Sequence, residues 1–141
     1  VLVATFNLYN TPIINTQPTS NTFRYCRNDV VTNLSFTDNG TTATYQWYWA
    51  TDSSYSLSPR VYTASGSQTN TVAPRVDTAA TLWYFAIETQ NLTNCNVTTN
   101  ISGGIRVFQA PTLLTNLRDT NLCSNQSLSQ LSSSFSVPFA I

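Results

Sequence analysis

Thr44-Tyr45-Gln46-Trp47-Tyr48-Trp49-Ala50 decides how the chain is read. Tyr45, Trp47 and Trp49 share one parity and are large and aromatic, whereas Gln46 and Ala50 interrupt the other parity around Tyr48. Alternation with a period of two, rich in aromatics, is the pattern of a strand with one buried face. A fully buried Trp removes roughly 150–250 Å² from water, so two on one face are enough to seed a small core. Trp47 is expected at the centre of that core, with Tyr45 beside it on the same face.

The segments on either side extend the same pattern. Asp38-Asn39-Gly40-Thr41 leads directly into the Trp strand. Asn-Gly accepts the positive φ that a tight turn needs. Leu34 and Phe36 alternate with Ser35 and Thr37, which predicts a core-facing strand paired to the Trp strand through that turn. Leu82 to Gln90 predicts a long strand on which Trp83, Phe85 and Ile87 face the core and Glu88 takes the other parity. Shorter strands are expected within Val1–Tyr9, Phe23–Cys26, Arg60–Thr63, Thr69–Ala73 and Ile105–Gln109, punctuated by Pro12, Pro74 and Gly103-Gly104. No amphipathic helical stretch of useful length occurs, so the expected fold class is an all-β, antiparallel sandwich.

Composition narrows the function classes. The six Arg and six acidic residues of this 141-residue chain cancel, there is no Lys, and only 9% of residues are charged. Nucleic-acid partners leave a basic footprint, so none is expected here. His is absent, which excludes His-based metal sites and His general bases. Met is absent too, and the chain is read as an internal or processed stretch. Its apolar runs are far shorter than a membrane span. Asp29, Asp38, Asp52, Asp77, Glu88 and Asp119 are scattered, and nothing singles out a catalytic carboxylate pair or the clustered acids of a calcium site. The expectation is a non-enzyme with no metal and no cofactor. The Asn-, Thr- and Ser-rich polarity suits an extracellular protein.

The chain also repeats itself. Pro12 followed by Ile13-Ile14 is echoed by Pro111 followed by Leu113-Leu114, 99 residues on. Cys26-Arg27-Asn28-Asp29 is echoed by Cys123-Ser124-Asn125-Gln126, 97 residues on. Two landmarks at nearly one spacing imply a tandem repeat of about a hundred residues, the size of one immunoglobulin-like sandwich. Residues 1–12 are then the last strand of a preceding copy, 13–110 one complete copy, and 111–141 the start of the next. The same register explains three cysteines. Cys26 and Cys95 belong to the complete copy and are predicted to form a disulfide, while the partner of Cys123 would lie beyond Ile141. The Cys26–Cys95 loop spans 69 residues, for which the chain-entropy account gives on the order of 4 kcal/mol. A catalytic thiol is disfavoured because no His is present to activate it.

The order of these landmarks carries a resemblance. Cys26-x-Asn28, the Asn39-Gly40 turn, Tyr45-Gln46-Trp47-Tyr48, Ser65-Gly66, Thr81-Leu82-Trp83-Tyr84-Phe85, Asn94-Cys95 and Ile105-x-Val107 follow one another. This resembles the immunoglobulin-like or PKD-like repeats of giant Bacteroidota surface proteins, including the gliding-motility adhesin (SprB-like) class. It covers Phe23 to Phe108 and begins again at Cys123. Trp49 and the Leu82-Trp83 pair depart from the usual pattern. The resemblance implies a role without a reaction. Such repeats are exported by type IX secretion and strung into filaments attached to the outer membrane, where they serve adhesion and gliding. The implied partners are neighbouring repeats, surface polysaccharide or the substratum, and the gliding and secretion machinery reached through the parent protein. Asp77-Thr78-Ala79 likewise resembles a Bacteroidota O-glycosylation pattern, which implies a glycan on Thr78.

A second reading comes from a different class. Tyr48, Trp49, Tyr55 and Tyr62 would form an aromatic patch near the loops. Such a patch stacks on sugars, as in a carbohydrate-binding accessory module of a secreted enzyme.

Overall fold

A computed structural model of the chain describes residues 4–5, 7–39, 42–54, 58–113 and 135–136. Among the described residues the structure is all-β, with no helix. The strands are β1 (Ile14–Thr16), β2 (Phe23–Cys26), β3 (Leu34–Ser35), β4 (Thr37–Asp38), β5 (Ala43–Ala50), β6 (Arg60–Val61), β7 (Thr71–Val72), β8 (Ala80–Gln90), β9 (Asn96–Thr98), β10 (Ile105–Phe108), β11 (Thr112–Leu113) and β12 (Phe135–Ser136). One sheet runs β2-β10-β8-β5-β6, with β9 also on β8. Its pairings are antiparallel apart from the parallel β2–β10 ladder. Opposite it, β1 pairs with β4 and β3 with β7, both antiparallel. The Leu34–Asp38 segment carries β3 and β4 and so links these two small ladders. Leu34, Phe36, Val72 and Tyr62 share one buried cluster with Trp47, Leu82, Tyr84, Ala86, Ile105 and Val107. Two mainly antiparallel layers with a common apolar core are consistent with a β-sandwich.

The Trp strand is the inner wall. Trp47 is fully buried, Tyr45 and Trp49 pack against the core from the same face, and Phe36 meets Trp47 and Tyr45 at centroid distances of 5.7 and 5.6 Å. The Trp47 indole N–H donates to the Thr69 carbonyl at 2.8 Å, which satisfies its one polar atom.

The strands on either side of Asn39 take different partners from those expected. β4 pairs with β1, and β5 pairs with β8 and β6, so Leu34–Asp38 and Ala43–Ala50 are not a hairpin. The chain crosses from one layer to the other between them. The reason is apolar burial. Leu34 and Phe36 share one buried cluster with Trp47, and the Phe36 ring meets the indole at a tilt. Gly40 and Thr41 lie outside the described residues.

The β8 parity is also the reverse of the expectation. Leu82, Tyr84, Ala86 and Glu88 turn inward. Trp83 and Ile87 are half-buried on the outer face, where Phe85 stacks on Tyr48 at 5.3 Å. Register settles this, because Trp47 pairs with Ala86 and Tyr48 with Phe85. Directly opposed residues share a face, so a large Trp on β5 is matched by a small Ala on β8.

The return strand departs from a simple ladder. Between β9 and β10, buried hydroxyls replace backbone acceptors. The Ala86 N–H donates to Thr99 Oγ1 and the Tyr84 N–H to Ser102 Oγ, both at 2.9 Å. Ser20 and Asn21 cross close behind Gly103, where a Cβ would sit 2.0 Å from the Asn21 carbonyl oxygen. Only glycine fits that crossing.

Upstream, Asn7–Tyr9 is not in a strand, and Leu8 is 99% exposed. Downstream, β11 pairs with β12 through Thr112↔Ser136. That pairing reproduces Ile14↔Asp38 of the β1–β4 ladder displaced by 98 residues. The displacement falls between the two sequence offsets.

Candidate functional site

The two ends of the sandwich are where chain chemistry gathers. At the upstream end, the Ile13 carbonyl accepts the Asn39 N–H at 3.1 Å, and the β8–β9 turn carries Cys95. Asn94 takes φ of 56° in that turn, a left-handed conformation that Asn tolerates. The Gln90 N–H donates to the Cys95 carbonyl at 2.9 Å. At the downstream end, Cys26 pairs with Phe108 in the parallel β2–β10 ladder. A tight turn follows, with Asn28 at φ 67°. There the Cys26 N–H donates to Asp29 Oδ2 at 2.6 Å and the Arg27 N–H to the Phe108 carbonyl at 2.9 Å.

Cys26 and Cys95 are therefore not a disulfide. Both are free, Cys26 exposed and Cys95 half-buried. Cys95 lies beyond Gln90 at one end of β8, and Cys26 lies level with the residue before Ala80 at the other. Ten steps of extended strand lead from Ala80 to Gln90, roughly 33 Å, against the ~7 Å Cα limit for a bridge. Sequence spacing alone could not reveal this, because it does not say at which end of a sheet a turn falls. Cys123 and Asp119 lie outside the described residues.

The acids do not assemble into a catalytic pair. Among the described residues no three Cys, Asp or Glu side chains gather where a metal ion could sit. Two of the acids nonetheless have informative settings. Glu88 is 0% exposed and neither carboxyl oxygen has a hydrogen-bond partner. Burial raises its pKa, with Asp38 adding repulsion. Its cross-strand neighbour Tyr45 donates its hydroxyl to Asp38 Oδ2 at 2.7 Å. That bond, then burial and the charges of Asp38 and Glu88, push the Tyr45 phenol up to about 12. Glu88 occupies the inward parity that the sequence reading had assigned to its neighbours.

Near the downstream end, Arg75 Nε meets Asp77 Oδ1 at 2.8 Å and Arg75 Nη2 donates to the Thr78 hydroxyl at 3.0 Å. The guanidinium holds the Asp77 carboxyl below the usual range. Thr78 is exposed. The Arg75 N–H donates to the buried Tyr84 hydroxyl at 3.0 Å, and burial raises the Tyr84 pKa.

The aromatic patch does not form as one surface. Tyr48 faces outward with Phe85, Trp49 faces the core side under Arg60 at 5.3 Å, and Tyr62 is buried with its hydroxyl donating to the Ala73 carbonyl. Tyr55 lies outside the described residues. The outer face instead presents an open cleft of about 520 Å³ lined by Tyr48, Pro59, Phe85, Ile87, Thr98 and Asn100.

Compared with protein families, curated proteins and solved structures, the chain matches none of them.

Proposed function

We propose that residues 13–110 are one immunoglobulin-like repeat of a tandem array, a non-catalytic structural module of a large secreted adhesin of the gliding-motility class. The observation that carries the array is the recurrence of the Ile14↔Asp38 pairing as Thr112↔Ser136, 98 residues later. The direction of the chain supports it. β1 starts at the upstream end and β10 leaves at the downstream end, so successive copies join end to end rather than side by side.

Three features support the immunoglobulin-like assignment. Trp47 is buried on a central strand. Tyr84 bonds back to Arg75 as a tyrosine corner does, two residues before Ala86, where antibody domains carry their second core cysteine. β1 pairs in one layer while β2 runs parallel to β10 in the other, so the first strand is shared between sheets.

In this reading the partners are neighbouring copies, with surface polysaccharide or the substratum gripped by the parent filament. The parent is exported by type IX secretion to the cell surface. The exposed Thr78 hydroxyl carries the O-glycan. Antibodies against residues 13–110 should label intact cells in extended surface filaments, and deleting the parent gene should abolish adhesion and gliding. Labelling only after permeabilisation would refute the reading.

The outer cleft favours a second reading, a carbohydrate-binding accessory module. Its mark would be saturable polysaccharide binding by the chain that Tyr48→Ala abolishes.

A further inference from the structure

We propose that the outer face of the large sheet binds an acidic polysaccharide, with a sugar carboxylate held by Arg24 and Arg106 and the sugar rings laid along Trp83 and the Tyr48–Phe85 cleft. The proposal rests on the saccharide reading of that cleft and adds the charge of the ligand. It does not depend on the tandem array.

Register makes the arginine pair. β2 and β10 run parallel, with Arg24 directly beside Arg106. Ile105 and Val107 flank Arg106 and lie in the core, so both arginines leave the sheet on its outer face, where both are exposed. Neighbouring strands lie about 4.8 Å apart, and like charges directly opposite each other at that spacing are destabilising. Nothing on the molecule offsets this. Among the described residues neither guanidinium has an ion pair, a hydrogen bond or an aromatic ring beneath it. The outward positions of β2, β5, β8, β9 and β10 include no Asp or Glu. Two adjacent, unpaired guanidiniums on an acid-free face are arranged for an anion from outside, and each matches a carboxylate through two parallel N–H bonds.

Aromatic surface adjoins the pair. Arg106 stands opposite Thr81 on β8, so Trp83 is its diagonal neighbour, about 7–8 Å away and within reach of a long side chain. Trp83 is half-buried, and its indole lies over Gly104, with Cε2 and Nε1 3.4 Å from the point a Cβ would occupy. Two residues further along β8, Phe85 stacks on Tyr48 in the open cleft, beside Thr98 and Asn100. Thr81 and Ile87 are six strand steps apart, so charge, indole and cleft lie along one band of roughly 20 Å.

The pattern of charge decides the class of ligand. A nucleic-acid strand presents a phosphate at every step and calls for cations along its whole track. This band has one paired cationic point, followed by neutral hydroxyl and amide groups at Thr81, Thr98 and Asn100. A polysaccharide with hydroxyls on every ring and a carboxylate at intervals matches both parts. The C–H faces of its rings lie on the electron-rich faces of the aromatic side chains, while the carboxylate takes the place of water at the two guanidiniums.

The test is calorimetric titration of the 141-residue chain with a galacturonic acid oligomer and with its methyl ester, which keeps the sugar backbone and removes the charge. The expected result is saturable binding of the acid form that weakens as salt rises. The ester, and the acid form against the double variant Arg24→Ala/Arg106→Ala, should each bind about tenfold more weakly. The thermal midpoint of the double variant should stay level or rise, because a repulsive pair is removed, so weaker binding would not reflect unfolding. Equal binding of acid and ester, unchanged in the double variant, would overturn the acidic site. If Tyr48→Ala abolishes that charge-independent binding, the saccharide reading of the cleft stands and only the acidic site falls. Oligothymidylate that competes as tightly as the acid oligomer would assign the band to nucleic acid and overturn the proposal. No saturable binding of either sugar oligomer would overturn the acidic site and the saccharide reading together.

Discussion

Trp47 and Ala86 face each other across the β5–β8 ladder, the largest side chain in the core against one of the smallest. That match sets the register of the central sheet. Enlarging Ala86 should therefore damage the fold more than its exposed-looking sequence context implies. Ala86→Leu is expected to cost about 1–3 kcal/mol by overpacking. Trp47→Ala should cost about 3–5 kcal/mol by leaving a cavity. Trp83→Ala, on the outer face, should cost clearly less than Trp47→Ala. Urea denaturation of the three variants checks the order, and equal losses at Trp47 and Trp83 would contradict the inward parity.

How far the sequence could be read follows from the same pair. The period-two pattern of Tyr45, Trp47 and Trp49 located β5 and its buried face, because both depend on local alternation. β8 is apolar on both faces, so alternation carried no sign there, and only pairing with β5 selects Ala86 rather than Phe85 for the core. The Asn39-Gly40 dipeptide could not tell which partners the flanking strands take, since a turn signal does not encode whether the chain stays in one sheet. The hydroxyls of Thr99 and Ser102, which satisfy β8, give no signal beyond a polar stretch. The recurrence of Pro12 and Cys26 is a matter of sequence alone and involves no knowledge of packing.

Glu88 should make stability fall as pH rises. Its folded pKa is raised above the ordinary value near 4.3 by burial and by Asp38, so the neutral acid is the form the fold favours. That stability is complete below the unfolded pKa and is lost as pH climbs through the folded one. Glu88→Gln should flatten this limb. Glu88→Leu should raise stability at pH 8 by about 1–4 kcal/mol, since it removes an unpaired buried carboxylate. Wild-type thermal midpoints that do not change between pH 4 and 8 would contradict this.

Asp77 contributes with the opposite sign. Its pKa is lowered by Arg75, so its contribution is present above the ordinary aspartate range and fades as pH falls through the lowered value. Asp77→Asn should reduce acid sensitivity, and the effect should shrink in high salt because the pair is exposed.

Tyr84→Phe should cost about 1–2 kcal/mol, because the Arg75 N–H loses its acceptor. Tyr62→Phe leaves the Ala73 carbonyl without its donor and should cost a similar amount. Tyr48→Phe on the outer face should be close to neutral. Chemical denaturation midpoints distinguish the three.

Reducing agent should leave the stability of the 141-residue chain unchanged. Cys26 and Cys95 are free at opposite ends of β8, so there is no 69-residue loop for a reductant to open. A drop of about 4 kcal/mol on reduction would mean that the two are bridged after all and that the strand placement is wrong.

The most direct measurement is small-angle X-ray scattering on the parent chain spanning this copy and the next, set against the same chain carrying this copy alone. End-to-end joining predicts that the maximum dimension grows by one sandwich length, roughly 35–40 Å from the rise of a strand the length of β8 plus its turn. A maximum dimension that barely increases, with the added mass taken up in a rounder particle, would contradict the array.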